Sequence, residues 1–90
     1  MATKKDIESD VKDVISAITR LPKSKLTLGD TLRKTYRLKE IHLGFLALPF
    51  TNISREYGGV DVTQAAVKQQ KTLGECIDMV HARANTKPKS

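Results

Sequence analysis

The stretch IESDVKDVISAI, residues 7–18, decides the fold class of this 90-residue chain. Its apolar residues recur at spacings of four, three, one and three, which places them on one stripe of an α-helix. These positions are Ile7, Val11, Val14, Ile15 and Ile18. Thr3 is placed to act as the N-cap of this helix, and Pro22 marks its stop. The sequence therefore predicts a long amphipathic first helix.

A second helical signal lies near the carboxyl end of the chain. Thr72-Leu73-Gly74-Glu75 has the form of a capping box, in which Thr72 accepts a hydrogen bond from the backbone of Glu75 and Glu75 reaches back. The apolar stripe of this last helix consists of Leu73, Cys76, Ile77 and Val80. Thr63 is predicted to cap a shorter helix across residues 64–70. Five side chains from three helices are expected to be buried together: Val14, Ile15, Leu46, Ile77 and Val80.

A central helix is predicted to begin around Lys39 and to run towards Tyr57. Its apolar positions are Ile41, Leu43, Phe45, Leu46, Leu48, Phe50 and Ile53. Their density predicts a heavily buried helix. Proline inside a helix costs ~3 kcal/mol, so Pro49 predicts either a kink or two shorter helices that meet there. Gly58-Gly59 is predicted to end the segment.

Between the first two helices the periodicity is lost. Leu26 and Leu28 are expected to plug into the core from this loop, and Asp30 to cap a turn that buries Leu32. With no strand-like alternation, the chain is predicted to be all-α: a small helical bundle of three main helices plus one short helix. We expect a single domain over residues 1–90, with a flexible tail from about residue 85.

The order of these elements and several motifs resemble the acyl and peptidyl carrier proteins. Residues 7–15 look like the first helix of that family, and residues 26–32 look like the loop that anchors an apolar residue before helix two. Arg55-Glu56-Tyr57-Gly58 resembles the acidic-aromatic-glycine end of helix two, and residues 72–80 resemble the start of the last helix. The resemblance covers roughly Asp6 to Arg83 and implies a carrier-protein-like four-helix fold.

One departure from this family concerns its defining Asp-Ser-Leu motif, whose serine carries phosphopantetheine. Ile41-His42-Leu43 stands at the corresponding place, and a shift of one residue puts Leu43 at the serine position, so neither alignment offers a hydroxyl. Ser54 is the only serine in the second-helix region, but it lacks the acidic neighbour and the following leucine. The resemblance therefore implies a relative of the carriers that holds no phosphopantetheine, and no cofactor is expected.

A second departure is the charge, since typical carriers are acidic whereas this chain has a formal net charge of +6. A basic protein of this size can bind nucleic acid, an anionic membrane or an acidic partner, or can simply be soluble. Asp30 is the only acid among the cations of residues 20–39, here called the basic loop: Arg20, Lys23, Lys25, Arg33, Lys34, Arg37 and Lys39. We predict a protein partner with an acidic surface. The predicted contact residues are Arg33, Lys34, Arg37, Lys39, His42 and Leu43.

Two alternative functions remain open. Residues 62–84 loosely resemble a helix-turn-helix, which would suit nucleic acid, although Glu75 and Asp78 would face phosphates unfavourably. The other alternative is a true acyl carrier with a variant attachment site such as Ser54.

No catalytic or metal-binding constellation is visible in the sequence, and the protein is predicted not to be an enzyme. His42 is interpreted as a helix-start or partly buried structural histidine, and its spacing to His81 is not that of a metal site. Cys76 is interpreted as a buried, inert thiol.

The expected location is the cytoplasm. A single cysteine favours a reducing compartment, and residues 1–6 contain no apolar segment of a signal peptide. The longest apolar stretch, residues 43–50, is far too short to span a bilayer.

Overall fold

The structure, a computed structural model, describes residues 3–88 and contains no strand in that range. Its four helices are α1 (Lys4–Thr19), α2 (Glu40–Glu56), α3 (Gln64–Gln69) and α4 (Leu73–Ala84). The all-α prediction of three main helices and one short helix is confirmed. The predicted flexible tail runs beyond the described range, since residues 89 and 90 lie outside it.

Helix α1 begins where the sequence predicts. The side chain of Thr3 accepts a hydrogen bond from the backbone N–H of Asp6 at 3.2 Å, which satisfies one of the unpaired amides of the first turn. The helix ends at Arg20, whose φ of 61° is left-handed. Ile7, Val11 and Ile15 are completely buried, so the predicted apolar stripe faces the core.

Helix α2 is central, because it packs against α1, α3 and α4. It is one continuous helix with Pro49 inside it, so the alternative of two shorter helices is wrong. The expectation of heavy burial is wrong for three of its apolar residues: Ile41, Phe45 and Leu48 are 62%, 64% and 69% exposed. The three neighbouring helices all contact the same side of α2, so only one face is buried, and that face carries Leu43, Leu46, Phe50 and Ile53.

Two glycines end α2 for different reasons. Gly58 adopts a left-handed φ of 84°, which glycine adopts without steric cost. Gly59 packs against the carboxyl end of α4, where a β-carbon on residue 59 would overlap the carbonyl oxygen of Arg83. The Val60 N–H donates to that same carbonyl at 3.1 Å. The prediction that Gly58-Gly59 ends the helix is confirmed.

Helices α3 and α4 have threonine N-caps, as predicted. Thr63 accepts from the Ala66 N–H at 3.1 Å, and Thr72 accepts from the Glu75 N–H at 3.2 Å. The Glu75 carboxylate reaches back to the N–H of Lys71 at 2.9 Å, one residue earlier than a standard capping box.

The basic loop is fastened to the start of α4. Asp30 and Leu28 accept hydrogen bonds, each 2.9 Å long, from the N–H groups of Leu73 and Gly74. These amides lie in the first turn of α4 and have no partner within the helix, so the loop carbonyls replace water as their acceptors. The loop is therefore held by backbone hydrogen bonds and not by side-chain packing alone.

The loop leucines differ in burial. Leu26 is buried, as predicted, and Leu32 is completely buried beside the turn that Asp30 caps. Leu28 is 45% exposed, so its predicted place in the core is wrong. Its backbone accepts from Gly74 while its β-carbon lies against that glycine at the surface of α4.

The core is a single cluster made by all four helices and the basic loop. The predicted group around Ile77 is buried as expected, except that Val14 is only partly buried and packs against the cluster from its edge. Its completely buried members are Ile7, Val11, Ile15, Leu32, Leu43, Phe50, Val67, Leu73, Cys76, Ile77 and Val80.

Candidate partner-binding surface

Arg33 differs from the other predicted contact cations because it is engaged within the protein. Its guanidinium donates to the Glu40 carboxylate, with Nε to Oε1 at 2.9 Å, and to the Lys68 carbonyl at 2.8 Å. A longer bond of 3.4 Å reaches the Gln70 carbonyl. Arg33 therefore ties the basic loop to the first turn of α2 and to the free carbonyls at the end of α3.

The other three cations, Lys34, Arg37 and Lys39, are exposed and have no ion-pair partner within residues 3–88. Arg37 has a φ of 54°, in the left-handed region that costs a non-glycine residue about 1–2 kcal/mol. The chain thus holds a long basic side chain at a position where glycine would be less strained. These three residues are the free cations of the predicted surface.

His42 and Leu43 have structural positions. His42 is half-buried, and its Nδ1 accepts a hydrogen bond from the Lys39 N–H at 3.0 Å, which caps the start of α2. Its interpretation as a structural helix-start histidine is confirmed. Leu43 is completely buried, so its inclusion among the partner contacts is a correction: no surface can reach its side chain in the folded chain.

Three apolar residues outside the predicted contact set are exposed instead. Ile41, Phe45 and Leu48, here called the α2 stripe, fall within about 60° of one another around the helix axis at 3.6 residues per turn. The buried residues Leu43 and Phe50 lie on the opposite face. The signal was present in the sequence, because seven apolar positions spread over two faces are more than one buried face can use.

Helix α3 borders the α2 stripe at Gly44. A β-carbon on Gly44 would lie 3.2 Å from Gln64 Oε1 and 3.8 Å from Lys68 Cε, so these side chains of α3 cross α2 at this glycine. Gly44 is one residue before Phe45 and follows Ile41 by three, which places the stem of Lys68 beside the stripe. Lys68 also has no ion-pair partner in the described part of the chain.

A network of hydrogen bonds centred on Asp30 holds the basic loop in shape. The Asp30 carboxylate accepts from the Thr27 hydroxyl at 2.6 Å, the Thr27 N–H at 2.9 Å and the Tyr36 hydroxyl at 2.6 Å. These donors, the Thr27 side chain foremost, lower the pKa of Asp30. Burial, with the bond to Asp30, raises the pKa of Tyr36. The network sets the path of residues 27–36 and so the placement of Arg37 and Lys39.

Ser54, the residue that the variant-carrier alternative requires, is completely buried. Its hydroxyl donates to the Val60 carbonyl at 2.6 Å, and it lies against the close contact of Gly59 with α4. The hydroxyl is therefore closed off from an enzyme that would attach a group to it.

Cys76 is also completely buried, in agreement with its interpretation. Burial raises the pKa of its thiol to about 12, with a smaller contribution from Glu75.

Within residues 3–88, no three His, Cys, Asp or Glu side chains lie close enough together to hold a metal ion. None of the helices in that range is long and apolar enough to cross a membrane. No model of a known protein family matches the sequence, and no curated protein sequence matches it significantly.

Proposed function

We propose that this protein is a non-catalytic binding module, similar to acyl carrier proteins but without phosphopantetheine, that recognises a protein partner with an acidic surface. The partner meets residues 33–39 of the basic loop and the start of α2, whereas Arg20 and Lys25 lie outside the contact. The observation that carries this proposal is that three free cations, Lys34, Arg37 and Lys39, are exposed in the segment that leads directly into α2, whose α2 stripe is exposed as well. Cations steer an acidic partner into contact, and apolar side chains supply the area that is buried on binding.

The conformation of Arg37 supports this proposal. Backbone strain at an exposed residue persists where surrounding structure enforces it, and such residues cluster at functional sites. Neither an ion pair nor a side-chain hydrogen bond within residues 3–88 accounts for the arginine side chain at this position.

The alternatives draw less support. A carrier with a variant attachment site needs an accessible hydroxyl, and Ser54 is buried and hydrogen-bonded. A nucleic-acid-binding helix α4 would present Glu75 and Asp78 to phosphates. Lys4 is paired with Asp78 at 2.8 Å and is therefore not free to bind a phosphate.

The test is capture of a partner from the native host with the wild type and with a variant in which Lys34, Arg37 and Lys39 are replaced by glutamate. Arg33 is left unchanged because it holds α3. We expect the variant to lose the partner at low salt, and the wild type to lose it as added salt shortens the Debye length from ~10 Å at 0.1 M to ~3 Å at 1 M. A control with the same charge change replaces Lys5, Lys25 and Lys87, and should capture normally.

A finer pair of variants separates recognition from folding. Arg37→Gly and Arg20→Gly each remove one positive charge and relieve one left-handed arginine, with φ values of 54° and 61°. Both should be more stable than wild type, because glycine adopts this conformation without steric cost. Only Arg37→Gly should weaken capture. The proposed function would be refuted if the triple glutamate variant and Arg37→Gly both captured the partner as well as the wild type does. Capture of nucleic acid alone would favour the helix-turn-helix alternative.

A further inference from the structure

The α2 stripe has the dimensions of a helix-docking site. Ile41 and Leu48 are seven residues apart, so the stripe runs for about 10 Å along α2 at 1.5 Å per residue. Its side chains follow one another at spacings of four and three, the pattern by which one helix offers its ridge to the groove of another. The remaining apolar face of α2 is committed to the core, so the stripe is narrow and straight.

We propose that the α2 stripe is the docking site for one acidic amphipathic helix supplied by the partner. This inference rests on the proposed function and names the segment that the surface takes. Two or three apolar side chains of that helix pack on Ile41, Phe45 and Leu48. Carboxylates on its flanks meet Lys68 on the α3 side and Lys39 at the amino end of α2.

The charges select an acidic occupant. Lys68 crosses α2 at Gly44 and Lys39 immediately precedes the helix, and neither has an ion-pair partner within residues 3–88. Glu40 lies between them in sequence, but its carboxylate is already bound by Arg33 at 2.8 Å. The border of the stripe is therefore positive along both of these sides, and a basic helix would be repelled.

A second copy of this chain fits the surface poorly. Three side chains exposed by about two-thirds offer on the order of 400 Å² of apolar surface, whereas a stable interface buries about 800 Å² on each partner. Each copy carries a formal net charge of +6, which opposes self-association.

A lipid surface also fits poorly. Membrane-surface helices insert a broad apolar face, and their affinity scales with the buried apolar area. Here the broad apolar face of α2 is turned into the core, and the stripe contains one aromatic residue, Phe45. Docking of a helix uses a narrow stripe of this kind, since helix axes approach to 8–10 Å along a single ridge.

The test uses the full-length protein and three probes, followed by amide chemical shifts. The first probe is a designed amphipathic peptide with leucines at helical spacing and glutamates on both flanks. The second has the same leucines with lysine flanks, and the third is a vesicle of phosphatidylcholine with phosphatidylserine. We expect only the glutamate-flanked peptide to shift resonances along α2, with an affinity that falls as salt is added.

Two variants and a control locate the contact. Phe45→Ser and Lys68→Glu should each weaken binding of the glutamate-flanked peptide by roughly tenfold, the loss expected for a central interface residue. Leu21→Ser removes an apolar side chain that is 37% exposed and lies outside α2, and it should bind as the wild type does. Circular dichroism checks that all three variants keep their helices.

Several results would overturn the inference. These are equal binding of the lysine-flanked peptide, vesicle-induced shifts along α2 in place of peptide-induced ones, no shift with any probe, or wild-type affinity in Phe45→Ser. Host-partner capture that still depends on Lys34, Arg37 and Lys39 would then show that the proposed function stands while its partner uses another kind of segment.

Discussion

Gly59 packs so closely against Arg83 that a β-carbon on residue 59 would overlap the Arg83 carbonyl oxygen. The same β-carbon would lie 2.6 Å from the hydroxyl of Ser54. The segment that follows α2 therefore meets the end of α4 at backbone contact, and moving a side chain would not relieve the overlap with the Arg83 carbonyl.

The first prediction is that Gly59→Ala lowers the free energy of unfolding by about 1–3 kcal/mol or more, as overpacking of a buried site does. Urea unfolding followed by circular dichroism measures the loss. Gly29→Ala is the matched control, because nothing lies within 4 Å of the β-carbon it would gain. Its loss should be within ~0.5 kcal/mol, the usual range for surface changes. Equal losses for the two variants would show that the contact at Arg83 is not tight.

The second prediction is that the protein gains no phosphopantetheine when it is co-expressed with a broad phosphopantetheinyl transferase. If the resemblance to the carrier proteins holds, their serine position falls at His42 or Leu43, neither of which has a hydroxyl. Ser54 donates its hydroxyl to the Val60 carbonyl inside the core. Intact mass spectrometry of the purified protein is the measurement. An adduct of the cofactor's mass on any serine would restore the true-carrier alternative.

The third prediction separates two neighbouring cations. Arg33→Ala should lower the free energy of unfolding by about 1 kcal/mol, a value discounted because the arginine side chain is 41% exposed. Lys34→Ala should change it by less than about 0.5 kcal/mol, since Lys34 has no ion-pair partner within residues 3–88.

Hydrogen exchange gives an independent measure of the same effect. The Arg33 guanidinium donates a hydrogen bond to the Lys68 carbonyl at the end of α3. Loss of this side chain should therefore speed amide exchange in α3 more than in α1. Equal effects of Arg33→Ala and Lys34→Ala on stability and on exchange would contradict the structural role of Arg33.

How far the fold follows from the sequence depends on the range of each interaction. The caps at Thr3, Thr63 and Thr72 are local, since donor and acceptor lie three residues apart, and the sequence alone predicts them. Gly59 and Arg83 are 24 residues apart in the sequence, and no local sequence pattern predicts their contact.

The candidate surface shows the same division. The cluster of cations between residues 33 and 39 is visible in the sequence, but the exposure of Phe45 and the burial of Leu43 depend on which face of α2 turns inward. Hydrophobicity alone does not decide that, because both faces are apolar. The role of Arg33 could not be foreseen either, since its acceptors at Lys68 and Gln70 lie on a different helix end.

The fourth prediction concerns the only cysteine of the chain. Cys76 is completely buried, and its pKa is raised to about 12, so almost no thiolate exists near neutral pH and no reagent reaches it. An aromatic disulfide reagent at pH 8 should therefore label Cys76 rapidly in denaturant and only as fast as unfolding in native buffer. Rapid labelling of the native protein would contradict the burial of α4 against the core.

The last prediction is a pH dependence that originates at Asp30. Its carboxylate accepts hydrogen bonds from Thr27 and Tyr36, which lower its folded pKa below the unfolded value of about 3.9. A lowered folded pKa means that the unfolded chain takes up the proton first. The stabilisation is therefore present above about pH 4 and is lost as the pH falls through the unfolded and then the folded pKa.

Asp30→Asn should accordingly reduce stability at neutral pH and flatten the fall in the free energy of unfolding below about pH 4. Urea unfolding at a series of pH values measures both effects. Glu56→Gln removes an exposed carboxylate that has no ion-pair partner within residues 3–88, and it should keep the slope of the wild type.

Tyr36 adds an alkaline limb to the same pH curve, in which the free energy of unfolding falls as the pH rises, because the folded pKa of Tyr36 is raised. Its stabilising contribution is present below about pH 10 and is lost as the pH rises further. Tyr36→Phe should remove this alkaline limb and weaken the acidic one, since Asp30 then has one donor fewer. An unchanged acid slope in Asp30→Asn would mean that the hydrogen bonds to this carboxylate do not hold the basic loop.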